Sequence, residues 1–454
     1  MNIPAASTNS ASEIEPAIRR AAARIVERCA VLATCSDLDG QIARLFCTPA
    51  MQAAHGELRS WMAAVGMQCR LDPAGNLIGR YETKHRAENG TAAKGAPAQA
   101  LLIGSHLDSV VNAGKYDGVL GVMVGLALAE IAAETGASLP FALEAIGFCE
   151  EEGVRFQTPY IGSRAMVGTL TADVLELRDA DGIRMAESLR NFGGSPEQIK
   201  EAGYQAESVV AYIEPHIEQG PVLEIKNLPV GIVSGIAGQT RASFQFSGKA
   251  GHAGTVPMSA RHDALTAAAE FVLAVEELAR SRPNLVATVG RLEVSPNVAN
   301  VIAAEVNLRL DLRHLDDDAR DAAFRELVHQ AALIAEEREI EFDMLWSQQQ
   351  PATSCDSRLI GLLAQSVAEL GVQPLELASG AGHDAVMMAK KFPTAMLFVR
   401  CAGGVSHHPD ESVTEADVAV ALRVLWQFIG KLAASDRPVH AEIPTPSSSG
   451  RGPG

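Results

Sequence analysis

Two short apolar runs, ALLIGS at 100–105 and FALEAIGFC at 141–149, stand on either side of a helix-like stretch at 118–135, GVLGVMVGLALAEIAAET. No other feature constrains the chain as strongly. Strand, helix, strand in that order implies a parallel βαβ unit, in which a crossover helix joins two neighbouring strands of one sheet. Sheets of this kind bind ligands in the crevice outside the carboxyl ends of their strands. At those ends the chain reads His106-Leu107-Asp108 and Glu150-Glu151-Glu152. Polar groups therefore gather where an α/β enzyme would keep its site.

Upstream, apolar positions at helical spacing predict a helix over 15–34, with Pro16 suited to its first turn. A short extended piece follows at 76–83, and the segment KHRAENGTAAKGAPA at 84–98 reads as a surface loop between strands. From about 239 the pattern changes. An alternating strand (TRASFQFSG), a helix over 259–281, the strands NLVATVGRLEV and AEVNLRLDLRHL, a helix over 316–337 and EIEFDMLW follow one another. That β-α-β-β-α-β order is the ferredoxin-like arrangement. Helix and strand alternation resumes after Pro351 with SRLIGLLAQSVAEL, PTAMLFVR and a last helix near 414–434, so the α+β domain is an insertion. The expected organisation is a discontinuous α/β domain built on a mixed sheet over 1–238 and 347–435, an inserted α+β domain over 239–346, and a Pro/Ser/Gly-rich tail over 436–454, expected to be disordered.

Charge and composition exclude several functions. With 38 Lys+Arg against 55 Asp+Glu the net charge is −17, which argues against a nucleic-acid partner. No apolar run approaches the ~18 to 20 residues of a membrane helix, and MNIPAASTNSASE has neither the basic start nor the apolar core of an export signal. A cytoplasmic protein without membrane attachment is expected. Seven cysteines, scattered and without a C-x-x-C pair, read as reduced thiols. Neither G-x-S-x-G nor G-x-x-x-x-G-K-[ST] occurs, and the G-x-G-x-x-A match at Gly380–Ala385 lacks the acidic residue that should end a second strand about 20 residues on.

Five separated segments carry residues that ligate divalent metals: His106-Leu107-Asp108, Lys115-Tyr116-Asp117-Gly118, Glu151-Glu152-Gly153, His216-Ile217-Glu218-Gln219-Gly220 and Ser406-His407-His408-Pro409-Asp410-Glu411. Singly each is weak, because a histidine after a strand more often serves structure than ligation. Imidazole and carboxylate donors without a thiolate suit zinc, manganese or cobalt in an open site, and not a closed structural zinc. Three consecutive glutamates would on composition alone be an exposed acidic turn. Following a buried strand, however, such a cluster is costly unless cations neutralise it. Asp117, ahead of Gly118 and a predicted helix, could bridge two ions or simply cap the helix. Asp108, on the same side of an extended segment as His106, could accept the second ring N–H of that histidine, or be a solvated strand-end carboxylate.

Together and in this order the segments resemble the M20 metallopeptidase and amidohydrolase family. The forms HIEQGP at 216–221 and GKAGHAGTVPM at 248–258 resemble its hydantoinase/carbamoylase branch, which holds N-carbamoyl-L-amino-acid hydrolases, β-ureidopropionases and allantoate amidohydrolases. The resemblance runs from about residue 15 to 432. It implies two divalent ions, zinc or else manganese or cobalt, held by His106, Asp117, Glu152, His216 and His407. Asp117 would be the bridge; the pairing of the histidines with the ions stays open. Glu151 would be the general acid/base, and Asp108 would belong to the catalytic set as the partner of His106. In the inserted domain, a lid and dimerisation domain in the family, His252 would stabilise the oxyanion, and Asn300 and Arg313 would bind the substrate amide and carboxylate. Arg313, on an alternating strand, could otherwise simply face solvent. Gln219 and His383 would also touch substrate. The implied substrate is a small ureido or amide compound with a carboxylate, above all an N-carbamoyl-L-amino acid. Allantoate and β-ureidopropionate are the alternatives, and an ordinary amide, as in M20 aminopeptidases and deacylases, a more distant one. A homodimer is the implied assembly.

Overall fold

The structure is a computed structural model that describes residues 11–83 and 99–435. The expected loop at 84–98 and tail at 436–454 lie outside the described residues. In chain order the principal elements are α1 (Ala11–Ala33), α2 (Pro49–Ala64), β1 (Gln68–Leu71), β2 (Leu77–Tyr81), β3 (Ala100–His106), α3 (Val119–Thr135), β4 (Ala142–Phe148), β5 (Val209–Ile217) and β6 (Val230–Ile236). There follow β7 (Gly238–Ser247), β8 (Gly251–His252), α4 (Ala264–Ser281), β9 (Val286–Ser295), β10 (Val301–Ile302), β11 (Glu305–His314), α5 (Asp317–Glu337), β12 (Glu341–Gln350) and β13 (Thr353–Ser354). The chain ends with α6 (Ser357–Glu369), β14 (Glu376–Ser379), β15 (Thr394–Val399) and α7 (Glu415–Ala434).

Packing divides the chain into two units. Among the described residues, one comprises those up to Ser234, Cys355–Leu377 and those from His383 onward; the other comprises Gly235–Ser354 and Ala378–Gly382. The second thus extends past residue 346, where the sequence places its end, because β12 pairs with β7 as far as Gln350.

The first unit is built on a mixed sheet in the order β1-β2-β4-β3-β5-β15-β6. Its centre is parallel: β3 pairs in parallel with β4 and β5, and β5 with β15. The flanks are antiparallel, at β1–β2, β2–β4 and β15–β6. Every residue of β3, β4, β5 and β15 is buried, as parallel strands covered on both faces require. Helix α3 is buried without interruption from Val119 to Ala132, which explains why its sequence shows so little polar face. One core joins α1, α3, α6, α7 and the inner strands.

Helices α1 and α2 are among those that differ from expectation. Helix α1 begins at Ala11, so Pro16 lies inside it and not in its first turn, where it lacks one N–H donor. Helix α2 was not predicted at all, although Thr48 caps it, accepting from Met51 N, and Pro49 follows at the first position.

In the second unit four antiparallel strands run in the order β12-β7-β11-β9, the ferredoxin-like order, with α4 and α5 packed on the sheet. Phe244 and Phe246 from β7, Phe271 from α4 and Phe324 from α5 fill the space between. Asp263 and Asp316 cap the two helices. Among the described residues no helix is long and apolar enough to cross a membrane.

Candidate active site

The four parallel strands deliver the predicted donors to one edge. His106 is the last residue of β3, Glu151 and Glu152 follow β4, His216 is next to last in β5, and His407 lies beyond β15. The connection after β3 leads to β4 on one side, whereas β5 lies on the other. That reversal leaves a crevice between the ends of β3 and β5. There the rings of His106 and His216 face each other, 5.8 Å between centroids.

Asp117 lies between them in the turn before α3. Gly118, at φ 66°, makes that turn, and a Cβ there would lie 2.5 Å from the His106 ring. The helix-cap alternative fails, since Gly118 occupies the cap and no side chain caps α3. One carboxylate oxygen, Asp117 Oδ1, is 3.1 Å from His216 Nε2 and 3.8 Å from His106 Nε2. The other, Oδ2, is 2.9 Å from His407 Nε2, which is itself 3.5 Å from Glu152 Oε1. Two triplets result, His106-Asp117-His216 and Asp117-Glu152-His407, with donor atoms in each within 4.8 Å of one another. His408 stays outside, its ring accepting from Asp410 N in a local turn. A third grouping, His106-Glu151-Glu152, shows that Glu151 borders the same space.

Ring orientation makes these imidazoles suitable for a metal. His106 turns Nδ1 to the Asp108 carbonyl at 3.0 Å, and His216 turns Nδ1 to the Ile217 carbonyl at 2.9 Å. A proton held on Nδ1 leaves the Nε2 lone pair aimed inward. His216 Nε2, though near Asp117, is off hydrogen-bond geometry and has no partner. A buried polar atom without a partner, facing carboxylates, fits a cation ligand. Protonation reports the same crowding. Burial opposes a charge on Asp117, yet the imidazoles of His216 and His407 hold its carboxyl well below the ordinary range. The Asp117 carboxylate lifts His407 to about 9. For His216 burial acts in the opposite sense, but Asp117 again prevails, at about 9. Burial, then repulsion from Glu152 and Asp384, pushes Glu151 well above the usual carboxylate range, and burial raises Glu152 to about 7.

Asp108 departs from the expected contact. Its backbone carbonyl, not its carboxylate, accepts from His106. The carboxylate stands 3.7 Å from the ring and accepts the amides of Glu151 and Glu152, each at 3.0 Å. The reason lies in the sheet, where β3 and β4 are adjacent and the turn after β4 presents two N–H groups to the end of β3. Gln219 donates toward both Asp117 oxygens, at 3.2 and 3.3 Å. His383 is buried with its ring 4.4 Å from that of His216, and burial holds its pKa well below the usual value.

The remaining candidates lie in the second unit. His252 on β8 and Asn300 beside β10 come together there, with Val301 paired to His252 and Ala253 N donating to the Asn300 carbonyl. Both are exposed. Arg313 is held by Asp311, through Nε at 2.7 Å and Nη2 at 3.0 Å, and by the Gly380 carbonyl.

Three buried carboxylates at the site were not singled out from sequence. Glu214 accepts from Ser105 Oγ at 2.7 Å and Ala385 N at 2.8 Å, Asp384 accepts from Ser163 Oγ at 2.5 Å, and Glu411 accepts the amides of residues 116 and 117. A signal existed for each: Glu214 is two residues before His216 in one strand, Asp384 follows His383, and Glu411 ends the segment that begins at Ser406 and carries His407.

Comparison with known proteins agrees with this geometry. The sequence profile of peptidase family M20/M25/M40 matches residues 102–431. The chain is 41% identical over 397 residues to an N-carbamoyl-L-amino acid amidohydrolase of Geobacillus stearothermophilus, covering 87% of this chain and 95% of that one. It is 39% identical over 434 residues to a probable allantoate deiminase of Oryza sativa subsp. japonica, covering 88% and 86%. A crystal structure of a hydantoinase/carbamoylase family amidase from Burkholderia ambifaria superposes with a TM-score of 0.81 at 33% identity, covering 91% of this chain and 97% of that one.

Proposed function

This chain belongs to peptidase family M20/M25/M40 and, within it, to the hydantoinase/carbamoylase branch, and from that premise we propose that it hydrolyses the carbamoyl C–N bond of N-carbamoyl-L-amino acids. The products are the free amino acid, ammonia and carbon dioxide. The observation that carries the proposal is the pair of triplets sharing Asp117, with the Nε2 atoms of His106 and His216 facing inward. The identity to the Geobacillus enzyme favours an N-carbamoyl amino acid as substrate. A second reading, allantoate, is favoured by the rice relative and would use the same residues.

In this mechanism His106, Asp117 and His216 would hold one divalent ion and Asp117, Glu152 and His407 a second. Ions bound there would supply Lewis acidity, polarising the ureido carbonyl and lowering the pKa of water. Glu151 takes the proton of the attacking water and passes it to the leaving nitrogen. It is left free for this because the two triplets are complete without it. Asp108, through the amides of residues 151 and 152, holds the glutamate pair in place. His383, kept neutral by burial beside the His216 ring, keeps the substrate contact implied by the family. For His252, Asn300 and Arg313 the proposal keeps the roles implied by the family: oxyanion donor, amide contact and carboxylate fork. A homodimer belongs to the same proposal and is checked by light scattering.

The test is ammonia release by metal-loaded protein from a panel of N-carbamoyl-L-amino acids, with allantoate and an N-acetyl amino acid alongside. Turnover of the carbamoyl compounds is expected. Turnover of allantoate alone would select the second reading, and turnover of the acetyl compound alone would refute both.

A further inference from the structure

Glu411 is 1% exposed, and one of its oxygens, Oε1, accepts the backbone N–H of Tyr116 at 2.7 Å and of Asp117 at 3.0 Å. The Ser406 hydroxyl stands between its other oxygen and Asp117 Oδ2, 3.3 Å from each. Tyr116 and Glu411 are 295 positions apart in the chain, so this contact joins the segment that carries Asp117 to the segment that carries His407. Gly114 lies flush against the same side chain. A Cβ there would stand 2.3 to 2.4 Å from Cδ, Cβ and Oε1 of Glu411. A buried carboxylate is costly unless its oxygens are satisfied, and two backbone amides are an unusually rigid way to satisfy one oxygen.

We propose that Glu411 is a positioning residue for Asp117: by clasping the 116–117 amides it holds one Asp117 oxygen toward each triplet and keeps His407 in register with them. This rests on reading the cluster as a metal centre. Asp117 has a short side chain with two torsions, so the direction of its carboxylate follows the direction of its backbone. No residue of the α3 cap performs this task, since Gly118 has no side chain. Glu411 touches neither ion nor substrate in this scheme. Its effect is exerted through a ligand, as residues behind metal ligands generally act.

The test is a Zn²⁺ titration of the metal-stripped full chain against a chromophoric chelator, for wild type, Glu411→Ala, Glu411→Gln and Gly114→Ala, with kcat and KM measured on an N-carbamoyl amino acid. Glu411→Ala and Gly114→Ala are expected to lose roughly 10- to 100-fold in Zn²⁺ affinity, with kcat falling far more than KM rises. Glu411→Gln keeps an oxygen that can accept both amides and should stay nearer to wild type than to Glu411→Ala. Should Glu411→Ala fail to fold, Gly114→Ala and Glu411→Gln still decide the matter. Wild-type affinity and kcat in Glu411→Ala or Gly114→Ala would overturn the proposal, as would a Glu411→Gln protein as impaired as Glu411→Ala. If the wild type itself takes up no Zn²⁺, the metal-centre reading fails first and the proposal with it; uptake by the wild type separates the two failures.

Discussion

Glu151 and Glu152 are chemically identical neighbours, and only their surroundings separate them. Glu152 lies 3.5 Å from His407 and belongs to one of the two triplets that share Asp117, whereas Glu151 belongs to neither of those two. Replacing Glu151 with Gln should therefore leave metal uptake intact and lower turnover by ~10²- to 10⁴-fold. Near-normal turnover in Glu151→Gln would remove it from proton transfer. Asp108 makes a sharper residue-scale case. Both of its carboxylate oxygens accept an amide N–H, so Asp108→Asn would set an NH₂ group against one of those donors. Activity should fall by roughly 10- to 100-fold while the His106 tautomer, fixed by a backbone carbonyl, survives. Loss of Zn²⁺ binding to the His106 triplet in Asp108→Asn would contradict that division of labour. The sequence sets Asp108 two residues after His106 but does not give its contact, because two residues of spacing say nothing of which neighbouring strand offers N–H groups.

At the scale of elements, the α/β alternation and the ferredoxin-like order were legible, since a period of two or 3.6 survives in the sequence wherever one face is buried. Helix α2 was not, although it buries Met51, Ala54, His55, Leu58 and Met62. Alanine and glycine dilute its pattern, and a histidine occupies one of its core positions. His55 has its own consequence. Burial, followed by Arg59, depresses its pKa from 6.5 to about 3, and it packs edge-on against Phe192. The unfolded chain therefore takes up this proton first as pH falls, so the stabilisation is complete above pH 6.5 and is lost on the way down to pH 3. Between pH 7 and pH 5 the wild type should lose about 2 kcal/mol that His55→Leu does not lose. Urea unfolding midpoints at the two pH values check this; equal pH dependence in both proteins would place the titration elsewhere.

For the whole molecule, the main consequence is that a concentration of buried acid exists in a chain that must fold. Asp108, Asp117, Glu150, Glu151, Glu214, Asp384 and Glu411 are all buried. Divalent cations that bind this arrangement and not the unfolded chain should stabilise it by about 2.7 kcal/mol at a hundredfold excess over Kd. Chelation should lower the thermal midpoint and re-addition of Zn²⁺ restore it, with a smaller increment in Glu152→Gln. A midpoint indifferent to chelator would count against a cation at these residues.

The sequence by itself determined the donor types and their stations at strand ends, together with the β-α-β-β-α-β order of the insertion, because these are local: residue identity, spacing and period. Tertiary structure alone decided which atoms meet. His106, Glu152, His216 and His407 converge because four parallel strands end at one edge and the sheet reverses its order between β3 and β5. Likewise Asp108 clasps two amides and Glu411 two others because strands and loops distant in the chain are neighbours in the sheet. A hydrogen bond needs two partners at about 3 Å, and spacing along one chain supplies only the first.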